Sequence, residues 1–239
     1  SDNTPELIKK FFKNKNINGE LHLHTWKNFG YNRTLALECA FNKSDYLLIF
    51  DADDSLEGSF PTNLNLNADM ILLKFGPDFV YWRPLLVNNR EKWVFKGVLH
   101  EYLVPSVDKK IVQENLDGNY HIISGRQGNR NKDENKYLND AIVLEQAIQI
   151  ETDIGLKNRY YFYAGQSYND AKNPDKAIPF YKYVIDNQCW SQEQYFSCLK
   201  MGNIYKNKKD IVNAMKYFQL SDKFDSERIE GLAMLCELC

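Results

Sequence analysis

No run in this 239-residue sequence approaches the roughly 18 consecutive apolar residues of a membrane-spanning helix, and its first ten residues are largely polar. Neither a transmembrane segment nor a signal peptide is therefore expected. Charge of one sign is also lacking: the formal net charge is −2 and the pI about 6.1, so there is no global basic field and nucleic-acid binding has no compositional support. Cysteine is scarce and odd in number, with Cys39, Cys189, Cys198, Cys236 and Cys239. Cys236 and Cys239 form C-x-x-C, but without a second pair, which argues against zinc at that end. The five read as reduced thiols of a soluble, cytoplasmic protein. What is present, 44% hydrophobic and 14% aromatic residues, suffices for one large or two small globular domains.

The most informative stretch runs from Ser44 to Asp54, SDYLLIFDADD. Tyr46 to Phe50 has the composition of a strand buried on both faces. Asp51, Asp53 and Asp54 would emerge at its carboxyl end, where open α/β sheets place their ligands. At about 5 Å and an effective dielectric near 20, two carboxylates repel by roughly 3 kcal/mol unless a cation intervenes. Hard oxygen ligands suit Mg²⁺ or Mn²⁺. The alternative is an acidic turn that caps a following helix.

Periodicity divides the chain near residue 125. Before it, short apolar runs alternate with turns: helices over Glu6–Phe12 and Tyr31–Phe41, and strands over Leu21–Thr25, Tyr46–Phe50, Met70–Phe75, Phe79–Trp82, Leu85–Asn88 and Trp93–Val98. This pattern predicts an α/β domain over residues 1–125 with antiparallel additions. After it, amphipathic helices joined by short turns predict an all-α domain over residues 126–239. Gly202, Tyr205, Ala214 and Phe218 each follow a residue of like size, Gly165, Tyr168, Ala177 and Tyr181, by 37 positions. Those sites fit the small and aromatic positions of the tetratricopeptide pattern, whose period is about 34, with the extra residues near Asn187–Gln192. The predicted helices are Asn158–Ala171, Pro174–Ile185, Gln192–Asn207, Ile211–Phe224 and Ser226–Leu238.

Several ordered pieces resemble family 2 glycosyltransferases of the subgroup with a C-terminal tetratricopeptide-like segment. They are Trp26-Lys27-Asn28-Phe29, Gly30-Tyr31-Asn32-Arg33-Thr34-Leu35-Ala36, Asp51-Ala52-Asp53-Asp54, Tyr81-Trp82-Arg83-Pro84, the run Trp93 to Tyr102, Gly125-Arg126, and Arg159 to Ala171. The resemblance implies a Rossmann-like GT-A fold that is N-terminally incomplete. Ser1 to Thr4 look like the tail of the family's D-x-G-S-x-D-x-T motif, so the first strands and much of the nucleotide-base pocket are expected to be missing from this chain.

The implied activity is metal-dependent transfer of a sugar from a nucleotide sugar, a UDP-sugar by preference, to a peptide, protein or glycan acceptor. Mn²⁺ or Mg²⁺ would offset charge on the leaving diphosphate. In this scheme Asp53 and Asp51 hold the metal, Asp51 and Arg33 contact the donor, and Glu101 is the general base. His100 joins as a metal or phosphate ligand. Each has a plainer alternative: a solvent-facing Arg33, a surface Glu101, a core His100. Trp82, Arg83 and Trp93 either shape an acceptor pocket or pack in the core. His22 and His24 alternate on one face, but without a third ligand nearby in sequence they read as structural. Two other functions compete with this one. The first is a non-catalytic interaction protein that binds a partner on its helical repeats; the second is a metal-dependent hydrolase using the aspartates.

Overall fold

The computed structural model describes residues 3–62, 67–125 and 128–238. Ser1, Asp2 and Arg126, on which parts of the family resemblance rest, lie outside them. The chain divides into two compact units, one of Ser1–Lys96 with Glu101–Ser124, the other of Gly97–His100 with Gly125–Cys239. No helix among the described residues is long and apolar enough to cross a membrane.

Among the described residues, the first unit opens with α1 (Thr4–Lys15) and α2 (Phe29–Ala40) and continues through eight short strands: β1 (Tyr46–Leu48), β2 (Ser55–Gly58), β3 (Met70–Phe75), β4 (Tyr81–Asn88), β5 (Trp93–Lys96), β6 (Tyr102–Pro105), β7 (Gln113–Asn115) and β8 (Tyr120–Ile123). Six of them form a mixed sheet in the order β1-β4-β3-β8-β2, with β7 also on β3. The β1–β4, β4–β3 and β8–β2 pairs are antiparallel, while β3 meets β7 and β8 in parallel. Strands β5 and β6 make a separate antiparallel hairpin.

Alternation along β3 divides the core between its two faces. Ile71, Leu73 and Phe75 pack with Leu85, Tyr120 and Ile122, whereas Met70 packs with Leu37 of α2, Val87, Trp93 and Leu103. Trp93 is thus a core residue, and its indole N–H donates to the Asn88 carbonyl at 2.8 Å. The two strands expected over 79–82 and 85–88 are one strand, β4. Pro84 stands where its register with β3 shifts, between Ile71 and Leu72, a bulge of the kind that admits proline.

The Tyr46–Phe50 run is not buried on both faces: Leu48 is 54% and Phe50 39% exposed. Leu47 packs toward Met70, Val87 and Trp93 on one face, whereas the face that carries Leu48 and Phe50 stays open to solvent. Leu21–Thr25 is not a strand but irregular chain leading into α2.

The second unit holds a 3₁₀ turn (Asn129–Lys132) followed by α3 (Lys136–Ile150), α4 (Ile154–Asp170), α5 (Pro174–Asp186), α6 (Ser191–Asn207), α7 (Ile211–Ser221) and α8 (Glu230–Cys236). The 37-residue spacing has a packing cause. Gly165 on α4 leaves room for the Tyr181 ring of α5, and Gly202 on α6 does the same for Phe218 of α7. Ring pairs repeat too: Tyr168 meets Phe180, and Tyr205 meets Tyr217 at the equivalent positions, both with centroids 5.5 Å apart.

The two glycines differ in how much room they leave. A methyl at Gly165 would sit 3.0 Å from the Tyr181 ring, a tight contact, whereas one at Gly202 would overlap the fully buried Phe218 ring. Replacing a helical glycine by alanine gains about 1 kcal/mol of propensity, and overpacking costs about 1–3 kcal/mol. Gly165→Ala is therefore expected to be near neutral and Gly202→Ala destabilising by about 1–2 kcal/mol in urea unfolding. Equal effects would remove the packing account of the repeat.

Candidate functional site

The residues before α2 fix its start and its aim. Asn28 caps the helix, its side-chain oxygen accepting the Tyr31 N–H at 2.8 Å. Asn32 Oδ1 accepts from the Lys27 N–H at 2.8 Å, and its amide donates back to the Thr25 carbonyl at 3.1 Å. Trp26 meets Phe29 edge-on, with centroids 4.8 Å apart. Thr34 then ties the helix to β5, its hydroxyl accepting the Phe95 N–H at 2.9 Å. The asparagines of this motif thus hold backbone, and Arg33 is the side chain they present.

Arg33 joins two of the other sequence-predicted residues. Its Nη1 donates to Asp51 Oδ1 at 3.0 Å, and its Nε lies 3.6 Å from Glu101 Oε1. The guanidinium also rests on the Phe95 ring, 4.7 Å from its centroid, a contact that sequence reading missed. Arg33, Asp51 and Phe95 line an open cleft of about 300 Å³ with Ala36, Leu37, Ala40 and residues 47–50. Arg33 and Asp51 are the charged residues of this lining, and the others are apolar. Arginine suits this bridging place because its planar fork offers donors in two directions at once.

The acidic segment leaves β1 as a tight turn, closed by the Asp54 N–H donating to the Asp51 carbonyl at 3.1 Å. It leads into strand β2, so it caps no helix. Asp53 is exposed at the tip of that turn, and Asp51 and Asp54 are half-buried. Asp51 is therefore the aspartate held in place by Arg33, and Asp53 the one presented to solvent.

His100 has surroundings of its own. The described contacts of this residue are with the helical unit, to which it belongs, whereas Glu101 belongs to the first unit. Its ring stacks on Tyr163 with centroids 3.8 Å apart, and its carbonyl accepts from Arg159 Nε at 3.1 Å. The residue retains exposed surface, but one ring face is covered. Burial of the ring, followed by the cations Arg159, Arg130 and Lys136, lowers its pKa to about 4, so the imidazole is neutral at pH 7. Both influences act in the same direction. The three cations also oppose a divalent metal at that ring.

No protein-family model matches this chain, and no curated protein matches it in sequence.

Proposed function

We propose that the first unit belongs to the catalytic domain of a metal-dependent, nucleotide-sugar glycosyltransferase of the family 2, GT-A type, carried on a tetratricopeptide-like helical segment. The observation that carries this reading is the cluster in which Arg33 bridges Asp51 and Glu101, residues from widely separated parts of the sequence. The arginine hydrogen-bonds Asp51 and stands within ion-pair distance of Glu101. A nucleoside diphosphate would draw the guanidinium onto its phosphate oxygens, and Mn²⁺ or Mg²⁺ would take up Asp51 with Asp53. Phe95 keeps the arginine head in place during that exchange. Glu101 would then accept the proton of the attacking acceptor group.

Calorimetry with UDP in the presence and absence of Mn²⁺ tests the metal end. UDP is expected to bind in a manganese-dependent way, and Asp53→Ala is expected to weaken that binding about tenfold or more. Because Asp53 is exposed, the substitution should leave the fold unchanged by circular dichroism. Equal binding by both proteins would remove Asp53 from the site. Absence of any binding by the wild-type chain would favour the interaction-protein reading, in which the helical repeats do the work.

A further inference from the structure

In sequence, His22 and His24 lack a third metal ligand, and the fold supplies one. They lie two residues apart on the irregular segment before α2. Their rings stand nearly parallel, 5° apart in plane and 6.3 Å between centroids. Cys39, near the end of α2, faces them. One ligand atom from each of His22, His24 and Cys39 lies within 4.8 Å of the other two. Cys39 Sγ and His24 Nε2 are already 3.6 Å apart.

We propose that His22, His24 and Cys39 form a binding site for a borderline-soft divalent ion, Zn²⁺ in particular. Tetrahedral zinc with bonds of about 2.1 Å to nitrogen and 2.3 Å to sulfur separates those two ligand atoms by about 3.6 Å, the spacing that Cys39 and His24 already have. The remaining ligand atom needs only a side-chain rotation of an exposed imidazole to close in. Two imidazoles and a thiolate select zinc over Mg²⁺ or Mn²⁺, which prefer oxygen, so this site is chemically distinct from the aspartate turn. Zinc displaces the thiol proton, which passes to solvent, and the thiolate becomes the ligand.

The surroundings fit. The three side chains line an open cleft of about 880 Å³ with Glu20 and Lys43. Glu20 Oε2 lies 2.9 Å from His22 Nε2, the orienting carboxylate that zinc-bound histidines commonly have. The same oxygen takes the Lys43 ammonium at 2.6 Å, so that this positive charge is offset before an ion arrives. Three protein ligands leave a fourth position open to water or a small ligand. The ion would also pin the irregular segment to α2, and with it the Asn28 and Asn32 contacts that aim Arg33.

The test is a titration of the full chain, reduced and metal-free, with Co²⁺ and then Zn²⁺. One Co²⁺ per chain is expected to bind with a thiolate-to-metal charge-transfer band and tetrahedral d–d bands, both abolished by one equivalent of Zn²⁺. Cys39→Ser should lose the charge-transfer band, and His22→Ala or His24→Ala should each weaken binding about tenfold or more. These positions are exposed or half-buried, so the variants should keep the wild-type circular dichroism. Asp53→Ala should leave the spectrum unchanged, which separates this site from the proposed donor site. No charge-transfer band at millimolar Co²⁺, or a band that survives Cys39→Ser and is lost in Cys236→Ser, would overturn the assignment.

Discussion

Replacing Arg159 by alanine is expected to destabilise the helical unit by about 3 kcal/mol at pH 7. Arg159 on α4 pairs with Glu193 on α6 at 3.2 Å, and the glutamate side chain is only 7% exposed. The arginine, at 24%, keeps some contact with water, which places the loss at the lower end of the range for breaking a buried pair. It also rests on the Tyr163 ring and holds the His100 carbonyl, so truncation removes packing as well as charge. Most of the cost comes from Glu193, which would be left buried without its counter-ion. Burial already pushes the Glu193 carboxyl above its ordinary value of 4.5, and Arg159 partly opposes that rise. Without the arginine the rise is larger. An acid whose pKa is higher in the folded state weakens the fold once pH exceeds that raised value, and the penalty disappears below the unfolded value. The deficit of the variant should therefore be greatest at neutral pH and shrink as pH falls toward 4.5. Adding Glu193→Gln should recover more than half of the loss, since a neutral amide has no charge to strand. Urea unfolding followed by far-ultraviolet circular dichroism, dominated by the helices, measures both effects. A pH-independent loss, or no recovery in the double variant, would assign the cost to packing alone.

The helical unit was legible because its signals are local. Small and aromatic residues recur at helical spacing, and the 37-residue offset reports which helices pair, since each glycine faces an aromatic ring on the next helix. The sheet was less legible. Strands β2 and β7 expose every residue, so Ser55–Gly58 and Gln113–Asn115 carry no apolar alternation to read. The Tyr46–Phe50 run misled in the opposite direction: an apolar sequence reports a strand but not whether both its faces are covered. At the candidate site, resemblance selected Arg33, Asp51 and Glu101, but no spacing rule joins residues so far apart in the chain; the packing of α2 on β5 makes that link. Cys39 was invisible as a partner of His22 and His24 for the same reason. The turn of chain before α2 closes a distance that sequence separation conceals.

The largest effect on activity is expected from Glu101→Gln. Under the proposed transfer, the acceptor group loses a proton as it attacks the sugar, and a positioned base contributes about 10²–10⁴-fold to that step. Glu101 is mostly enclosed, with 13% of its side chain exposed, and Arg33 orients it from 3.6 Å. Glutamine keeps the size and the acceptor oxygen but cannot take the proton, so kcat should fall by about 10²–10⁴ while KM for the donor changes little. Arg33→Lys should act differently. A lysine ammonium is a single point charge that cannot span Asp51 and Glu101 as the guanidinium does, so donor affinity should weaken and KM rise. The two variants together separate proton transfer from donor binding. Glutamine keeps a polar partner beside Arg33 and lysine keeps the positive charge beside both carboxylates, so both proteins should stay folded by circular dichroism, and a fall in rate would then report chemistry. Sugar transfer or donor hydrolysis, assayed with a UDP-sugar and Mn²⁺, is the readout. Retention of activity within a few-fold in Glu101→Gln would exclude this carboxylate as the base, and a wild-type chain that neither turns over a UDP-sugar nor binds UDP with Mn²⁺ would overturn the reading for this chain.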